Sequence, residues 1–202
     1  MRNKKSIAII GEGETEWFYF DSLRIARRLP FKLSPELPSH PDIESMLKKA
    51  ERCISEGYDL VVCIVDMDRF RMFPTDMQRY RQFRSARRFS KVEFIETDPC
   101  TEFWFLLHFL PFGSRRSFPS YDALLPELRR FIPAYEKSIR FFRRCDIYRF
   151  LTEHGDLEQA KANAAYLSEL SRQNPEDRIA YSEIHKVFML LDEMLDATDT
   201  KR

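Results

Sequence analysis

Ile7-Ala8-Ile9-Ile10-Gly11-Glu12-Gly13-Glu14-Thr15-Glu16 is a four-residue apolar run that stops at two glycines enclosing one carboxylate. A second carboxylate, Glu16, follows after enough chain to begin a helix. An apolar, β-leaning run bounded by turn residues predicts a buried strand leading straight into a helix. Such a strand delivers Glu12 to its carboxyl edge, where the ligands of open α/β sheets collect. A carboxylate there makes chemical sense if something cationic or protonated meets it, and a metal ion is the obvious partner. The pattern recurs at Leu60-Val-Val-Cys-Ile-Val65, which ends in Asp66-Met67-Asp68. Two strands with two acidic tips predict one site.

Outward from the first strand, Trp17, Phe20 and Leu23 recur at helical spacing, and Arg24, Arg27 and Arg28 fall where cations suit a helix dipole. The prediction is a helix from Thr15 to about Leu29, stopped by Pro30. An extended piece, Phe31 to Leu33, leads into a connection marked by Pro35, Pro38 and Pro41. Asp42 then caps a helix that turns Ile43, Met46, Leu47, Ala50 and Ile54 inward and ends at Gly57. The resulting β-α-(β)-α-β order predicts parallel central strands. Further on, a helix is expected over Thr75–Arg88. A third parallel strand is expected over Val92–Ile95, ending at Glu96, Thr97 and Asp98, and a buried helix over Cys100–Leu110. Beyond the loop marked by Pro111, Gly113, Ser114 and Pro119 the pattern is helical, interrupted by Pro126 and Pro133. The last amphipathic runs, about Asp156–Ser171 and Glu176–Leu195, are read with no strand between them. The fold class is thus α/β, a mostly parallel sheet flanked by helices over residues 1–110, with a helical extension over 111–202 packed on it as a single unit.

Composition narrows the function classes. The 202 residues suffice for one substantial core, and 33 basic against 32 acidic side chains leave a net charge of +1, so only local patches can attract a polyanion. The four cysteines are widely spaced, with no Cys-x-x-Cys pair, which argues against structural zinc and against a disulfide framework. The longest apolar stretch, Phe103 to Phe112, contains His108 and Pro111 and is too short to span a bilayer. These features predict a soluble, cytoplasmic protein with no membrane partner.

Glu12, Glu16, Asp66 and Asp68 form the core of the expected site. Clustered carboxylates repel unless a divalent cation neutralises them, and hard oxygen ligands choose magnesium or manganese over zinc. Taken singly, Asp-x-Asp reads as a solvated turn and Gly-Glu-Gly as a tight strand-to-helix connection. Two such tips, each directly after an apolar strand, carry the metal reading. Glu102 interrupts a buried helix, and three roles stand open for it: a further ligand of the acidic cleft, a partner there that holds a basic residue in place, or one half of a structural salt bridge. His108, six residues on, faces elsewhere and reads as a core or interface histidine.

Three blocks carry a family resemblance: Gly11-Glu12-Gly13-Glu14-Thr15-Glu16-Trp17-Phe18-Tyr19-Phe20, Val65-Asp66-Met67-Asp68, and Asp98-Pro99-Cys100-Thr101-Glu102-Phe103-Trp104-Phe105-Leu106-Leu107-His108-Phe109. They resemble the RloB-type proteins found beside restriction and abortive-infection genes, a group within the Toprim superfamily of topoisomerase, primase and OLD-type nuclease domains. Tyr135-Glu136-Lys137 and Ala160-Lys161-Ala162-Asn163-Ala164 also look like later motifs of that group, so the resemblance covers most of the chain. It implies a Toprim-like sheet in which Glu12 is the catalytic acid, Asp66 and Asp68 hold magnesium, and Glu16 is an additional ligand. Lys137 then reads either as a phosphate-binding or transition-state lysine or as an exposed helix-end lysine. Primase-specific motifs are not evident. The implied activity is a magnesium-dependent endonuclease in antiviral defence, with an ATPase partner supplied by another chain, because no Gly-x-x-x-x-Gly-Lys-Ser/Thr motif occurs here.

The substrate reading comes from charge. Arg69 to Lys91 holds eight basic residues against one acid, Asp76, and begins directly behind Asp68. Arg69, Arg71, Arg79, Arg84, Arg87 and Arg88 are expected to line the rim and meet phosphates, with interleaved aromatics free to stack on unpaired bases. Arg140, Arg143, Arg144 and Arg149 offer a second rail. RNA, including tRNA, and DNA both fit. Two rival classes stand beside the nuclease: a non-catalytic module that binds nucleic acid or docks onto the ATPase, and a phosphatase-like enzyme using the same metal.

Overall fold

The computed structural model describes residues 5–29, 32–37, 40 and 42–199. Pro30, Phe31, Pro38 and Pro41, which the sequence invoked to end the first helix and shape the next connection, lie outside these.

The strands are β1 (Ser6–Ile10), β2 (Lys32–Glu36), β3 (Leu60–Asp66), β4 (Val92–Asp98) and β5 (Tyr181–Ser182), and they form one sheet in the order β2-β1-β3-β4-β5. The first four are parallel and β5 runs antiparallel to β4. The fold is therefore α/β, with a mostly parallel sheet as expected of a Toprim-like layout. Between the strands run α1 (Glu14–Arg27), α2 (Ile43–Ser55), α3 (Met67–Met72) and α4 (Pro74–Ser85). After β4 come α5 (Glu102–Leu107), α6 (Tyr121–Leu128), α7 (Ile139–Phe142), α8 (Ile147–His154), α9 (Leu157–Gln173) and α10 (Ile184–Asp199).

Alternation along the strands separates two cores. Ile7, Ile9, Val62, Ile64 and Ile95 join Tyr19, Trp104, Phe105, Phe188 and Leu191 on one face. Ala8, Ile10, Val61, Cys63, Val65 and Phe94 meet Met46, Leu47, Ala50 and Tyr80 on the other. The two-residue period of a strand requires this split, and burial on both faces explains why β1 and β3 read as unbroken apolar runs. The C-terminal helices thus cover the face that α1 and α5 occupy. Among the described residues no helix is long and apolar enough to cross a membrane.

Four sequence expectations need correction. The run expected over Glu176–Leu195 is helical only from Ile184, and ahead of it β5 pairs Ser182 with Thr97 and Tyr181 with Asp98, placing a strand between the last two helices and closing the sheet edge beside the site. The piece expected to end at Leu33 continues to Glu36, and Pro35 is tolerated because β2 is an edge strand. The strand expected to stop at Ile95 continues through Thr97 and Asp98, whose polar side chains find partners at the sheet edge. The helix expected over Cys100–Leu110 is regular only from Glu102 to Leu107, because Trp104 and Phe109 take their bonds three residues back, in the tighter turns of helix ends.

Candidate metal-binding site at the strand tips

The site begins with a close approach. A Cβ on Gly11 would lie 2.2 Å from Glu16 Cβ and 2.7 Å from its Cγ, so only glycine lets the Glu16 side chain fold back under the end of β1. Glu16 Oε2 then accepts the Gly13 backbone N–H at 2.9 Å, as a third-position glutamate does at a helix start. Its Oε1 is buried and has no hydrogen-bond partner among the described residues. Glu12 bridges to the neighbouring strand, accepting the Asp66 backbone N–H on Oε1 at 3.1 Å. The parallel register, Ile10 opposite Cys63, places the two tips side by side.

Asp66 is fixed from the β4 side. Its Oδ1 accepts the Thr97 hydroxyl (2.8 Å), the Thr101 backbone N–H (3.0 Å) and the Thr101 hydroxyl (3.2 Å). Its Oδ2 faces Lys137 Nζ at 4.0 Å. Glu102, fully buried at the start of α5, accepts the Thr15 hydroxyl at 3.1 Å and the Tyr135 hydroxyl at 2.9 Å on Oε1, and Lys137 Nζ lies 3.2 Å from the same oxygen. Lys137 keeps an exposed stem, with its ammonium 5.2 Å from the centre of the Tyr121 ring. Asp68 stands to one side, half-buried, with Oδ2 accepting the Tyr121 backbone N–H at 3.3 Å.

The structure therefore brings Glu12, Glu16, Asp66, Glu102 and Lys137 into one electrostatic cluster, with Asp68 at its flank. Of the roles open to Glu102, its contacts are those of an ion pair with a basic residue, positioning or structural, since the same oxygen takes two hydroxyls and the lysine. Thr15, Thr97, Thr101 and Tyr135 position the acids. No sequence pattern assigns the threonines such a part; the available signal is that Thr97 and Thr101 flank the end of a strand.

The charge balance is unfavourable as it stands. Burial first, then repulsion from Glu16, pushes the Glu12 carboxyl up to about 8, although it keeps partial contact with solvent and Arg69 and Lys137 pull the other way. Burial also raises Glu16, opposed by Lys137 and reinforced by Glu102. Asp66 is held well above the usual carboxylate range by burial and then by Glu16, with Glu12 and Glu102 adding to it. Burial raises Asp68 as well. Glu102 alone is held below its ordinary value: burial opposes its ionisation, but Lys137 and the hydrogen bonds from Cys100 and Tyr135 outweigh it. Those same carboxylates hold the Lys137 ammonium up against the effect of burial. One lysine satisfies one carboxylate and leaves the others short of positive charge.

A hard divalent cation fits that deficit. The donors are carboxylate oxygens, one of them, Glu16 Oε1, without a hydrogen-bond partner among the described residues. Among the described residues, no three His, Cys, Asp or Glu side chains converge closely enough to close a metal shell. Magnesium does not require that many, because it commonly keeps several waters and takes one or two carboxylates together with substrate phosphate. Glu12, Glu16 and Asp66 Oδ2 are the groups that would hold it, and Asp68 would join by leaving the Tyr121 N–H.

The basic run behind Asp68 is less open than its composition suggests. Arg69 pairs with Asp76 (3.4 Å), Arg71 with Asp98 (2.5 Å), Arg79 with Glu44 (4.0 Å), Arg88 with Glu51 (3.4 Å) and Arg84 with Glu96. Arg87 is exposed. Five of the eight basic groups in the run thus already face a carboxylate, so much of the charge that composition assigns to this surface is offset.

A family model described as RloB-like protein matches residues 7–191. The chain belongs to the RloB-like protein family. The match spans every strand and both acidic tips, together with Glu102 and Lys137. No curated protein and no solved structure gives a significant match.

Proposed function

We propose that this RloB-like protein is a magnesium- or manganese-dependent phosphodiester hydrolase, a Toprim-type endonuclease acting on RNA or DNA in antiviral defence. The observation that carries the reading is the buried cluster itself: carboxylates from three separate parts of the chain, Glu12 with Glu16, Asp66, and Glu102, meet at the carboxyl edge of a parallel sheet, with Lys137 the one lysine among the described residues that pairs with them. Such a cluster is unfavourable for stability, and burial of this kind collects where function requires it.

A divalent ion there supplies charge stabilisation at the phosphoryl oxygens and a more acidic water. The protein's own groups do the rest. Glu12, oriented by the Asp66 N–H, stands at the partly open mouth of the site, where it takes a proton from the attacking water or returns one to the leaving oxygen. Asp66 is locked by the two threonines, so it points at the reacting centre without reorganisation. Lys137, on a partly exposed stem, swings from Glu102 to a non-bridging phosphate oxygen. An ATPase partner supplies nucleotide-driven control, consistent with the missing phosphate-binding loop.

The test is cleavage of end-labelled RNA and DNA with magnesium or manganese, comparing the wild type with Glu12→Ala and Asp66→Ala. Loss of cutting with binding retained supports the enzyme. One observation favours a second reading, a non-catalytic binding module: Lys137 already meets Glu102 and Asp66, as in a structural ion pair. Equal binding by all three proteins with no cleavage of any substrate selects that module.

A further inference from the structure

Residues between Ile132 and Phe150 line a half-open pocket of about 420 Å³, within the range of sites for small organic groups. Pro133, Phe141 and Phe150 give it apolar and aromatic walls, while Arg140, Arg144 and Glu136 supply its charge. Arg140, Arg143 and Arg144 make no ion pair among the described residues, in contrast to the paired arginines behind Asp68. Asp146, the acid nearest in sequence to Arg143 and Arg144, is committed elsewhere, accepting the Arg149 backbone N–H at 3.0 Å and the Ser22 hydroxyl, and Glu136, four residues before Arg140, makes no ion pair among the described residues. This turn is firmly seated: Phe142 is buried and stacks on Phe18 of α1 with ring centres 5.2 Å apart.

The pocket also adjoins the acidic cluster through one short segment. Glu136 lines the pocket, while Tyr135 and Lys137 on either side of it both bond Glu102. Phe141 packs edge-on against Tyr135 at 5.1 Å, so a ring lying on Phe141 is one aromatic contact from the residue that orients Glu102.

We propose that this pocket receives one unpaired nucleotide of the polynucleotide substrate, its base against Phe141, Phe150 and Pro133 and a phosphate against Arg140 and Arg144. The proposal rests on the nuclease reading of the neighbouring strand tips. Aromatic walls suit a base, whose flat face stacks on any such ring, and uncommitted guanidinium groups suit a phosphate, which they bind in fork geometry. Glu136 adds an acceptor for a base N–H.

Cys145 reports on the pocket directly, because it is half-buried in the pocket wall whereas Cys53, Cys63 and Cys100 are buried. Burial and the adjacent Asp146 push its thiol up, so alkylation is followed by mass spectrometry in mildly alkaline buffer with the intact chain. Adenosine and cytidine 5′-monophosphates are expected to slow Cys145 alkylation, and inorganic phosphate at the same concentration is not. Arg140→Ala/Arg144→Ala should raise the protecting concentration about tenfold or more per lost charge-assisted contact, and Arg52→Ala, on α2 and paired with Glu56, should leave it unchanged. The proposal is overturned if neither nucleotide protects, if phosphate alone protects as well, or if the double variant is protected like the wild type. The readout needs neither divalent ion nor cleavage. Failure here leaves the nuclease assay untouched, and a negative nuclease assay with protection intact leaves a nucleotide pocket on a protein that does not cut.

Discussion

Replacing Glu12 by Gln should stabilise the metal-free protein, and by an amount that grows with pH. The amide keeps Oε1 for the Asp66 N–H but removes a charge that its surroundings oppose. Burial, then Glu16, raises the Glu12 carboxyl from 4.5 to about 8. In the wild type its contribution to stability is therefore fully present below pH 4.5 and is lost as pH rises through 8, because the unfolded chain gains by ionising first. At about 1.4 kcal/mol per unit, the shift of roughly 3.5 units sets an upper bound of about 5 kcal/mol. Glu12 keeps some solvent contact and shares its repulsion with Glu16 and Asp66, so about 2 kcal/mol is the reasonable expectation. For a chain of this size that is a rise in Tm of about 4–8 °C. Thermal unfolding of the two proteins in chelator across this range should show curves that coincide at the acid end and diverge toward pH 8. Adding magnesium should reverse the order: the wild type gains about 2.7 kcal/mol at a hundredfold excess over its Kd, and the variant gains little. A variant that is destabilised equally at every pH, or an unchanged wild type on adding magnesium or manganese, refutes the reasoning.

Other perturbations separate the parts of the site. Lys137→Met removes the one ammonium facing buried Glu102 and should lower the urea unfolding free energy by about 2 kcal/mol, discounted for the exposed lysine stem; adding Glu102→Gln should recover most of it. Gly11→Ala forces a Cβ to within 2.2 Å of Glu16 Cβ and should cost about 3 kcal/mol while abolishing the magnesium-induced shift in Tm. Gly57→Ala is its control: φ is +86° with nothing within 4 Å of the added carbon, so calorimetry should show a loss of about 1 kcal/mol and an unaltered metal response. Tyr135→Phe strips a hydroxyl from the ionised Glu102 and should cost about 2 kcal/mol by chemical denaturation.

The parts of the fold that were legible share a physical reason. β1 and β3 are buried on both faces, so their apolar runs are continuous and their acidic ends conspicuous; the same feature exposed Glu12 and Asp66. β5 was not legible, because two residues, Tyr181 and Ser182, show no alternation and their pairing depends on the edge of β4. The neutralised arginines were invisible for a related reason. Composition shows one acid in the run, but the partners of Arg71, Arg79 and Arg88 lie 27, 35 and 37 residues away along the chain, as Asp98, Glu44 and Glu51. Local charge counts predict a surface only when the neighbours in space are also neighbours in sequence. The link from Lys137 to Glu102 likewise spans 35 residues, so the sequence supplied both residues but not their pairing.

That pairing bears on how the site would be controlled. Lys137 cannot serve Glu102 and a phosphate equally, since Glu102 loses its main source of positive charge when the ammonium leaves. The Thr15 and Tyr135 hydroxyls remain on Oε1 and soften the loss, which makes the swing feasible, but a neighbouring cation would lower its cost further. On the proposed metal reading, binding of a divalent ion at Glu12, Glu16 and Asp66 and release of Lys137 toward substrate would therefore favour each other, and by linkage substrate phosphate should tighten the ion. Isothermal titration of magnesium with and without a non-cleavable phosphorothioate oligonucleotide measures that coupling. An affinity several-fold higher with the oligonucleotide is expected for the wild type, and Lys137→Met should reduce the enhancement. Identical enhancement in the variant would mean that Lys137 stays on Glu102 throughout and serves only to hold the fold.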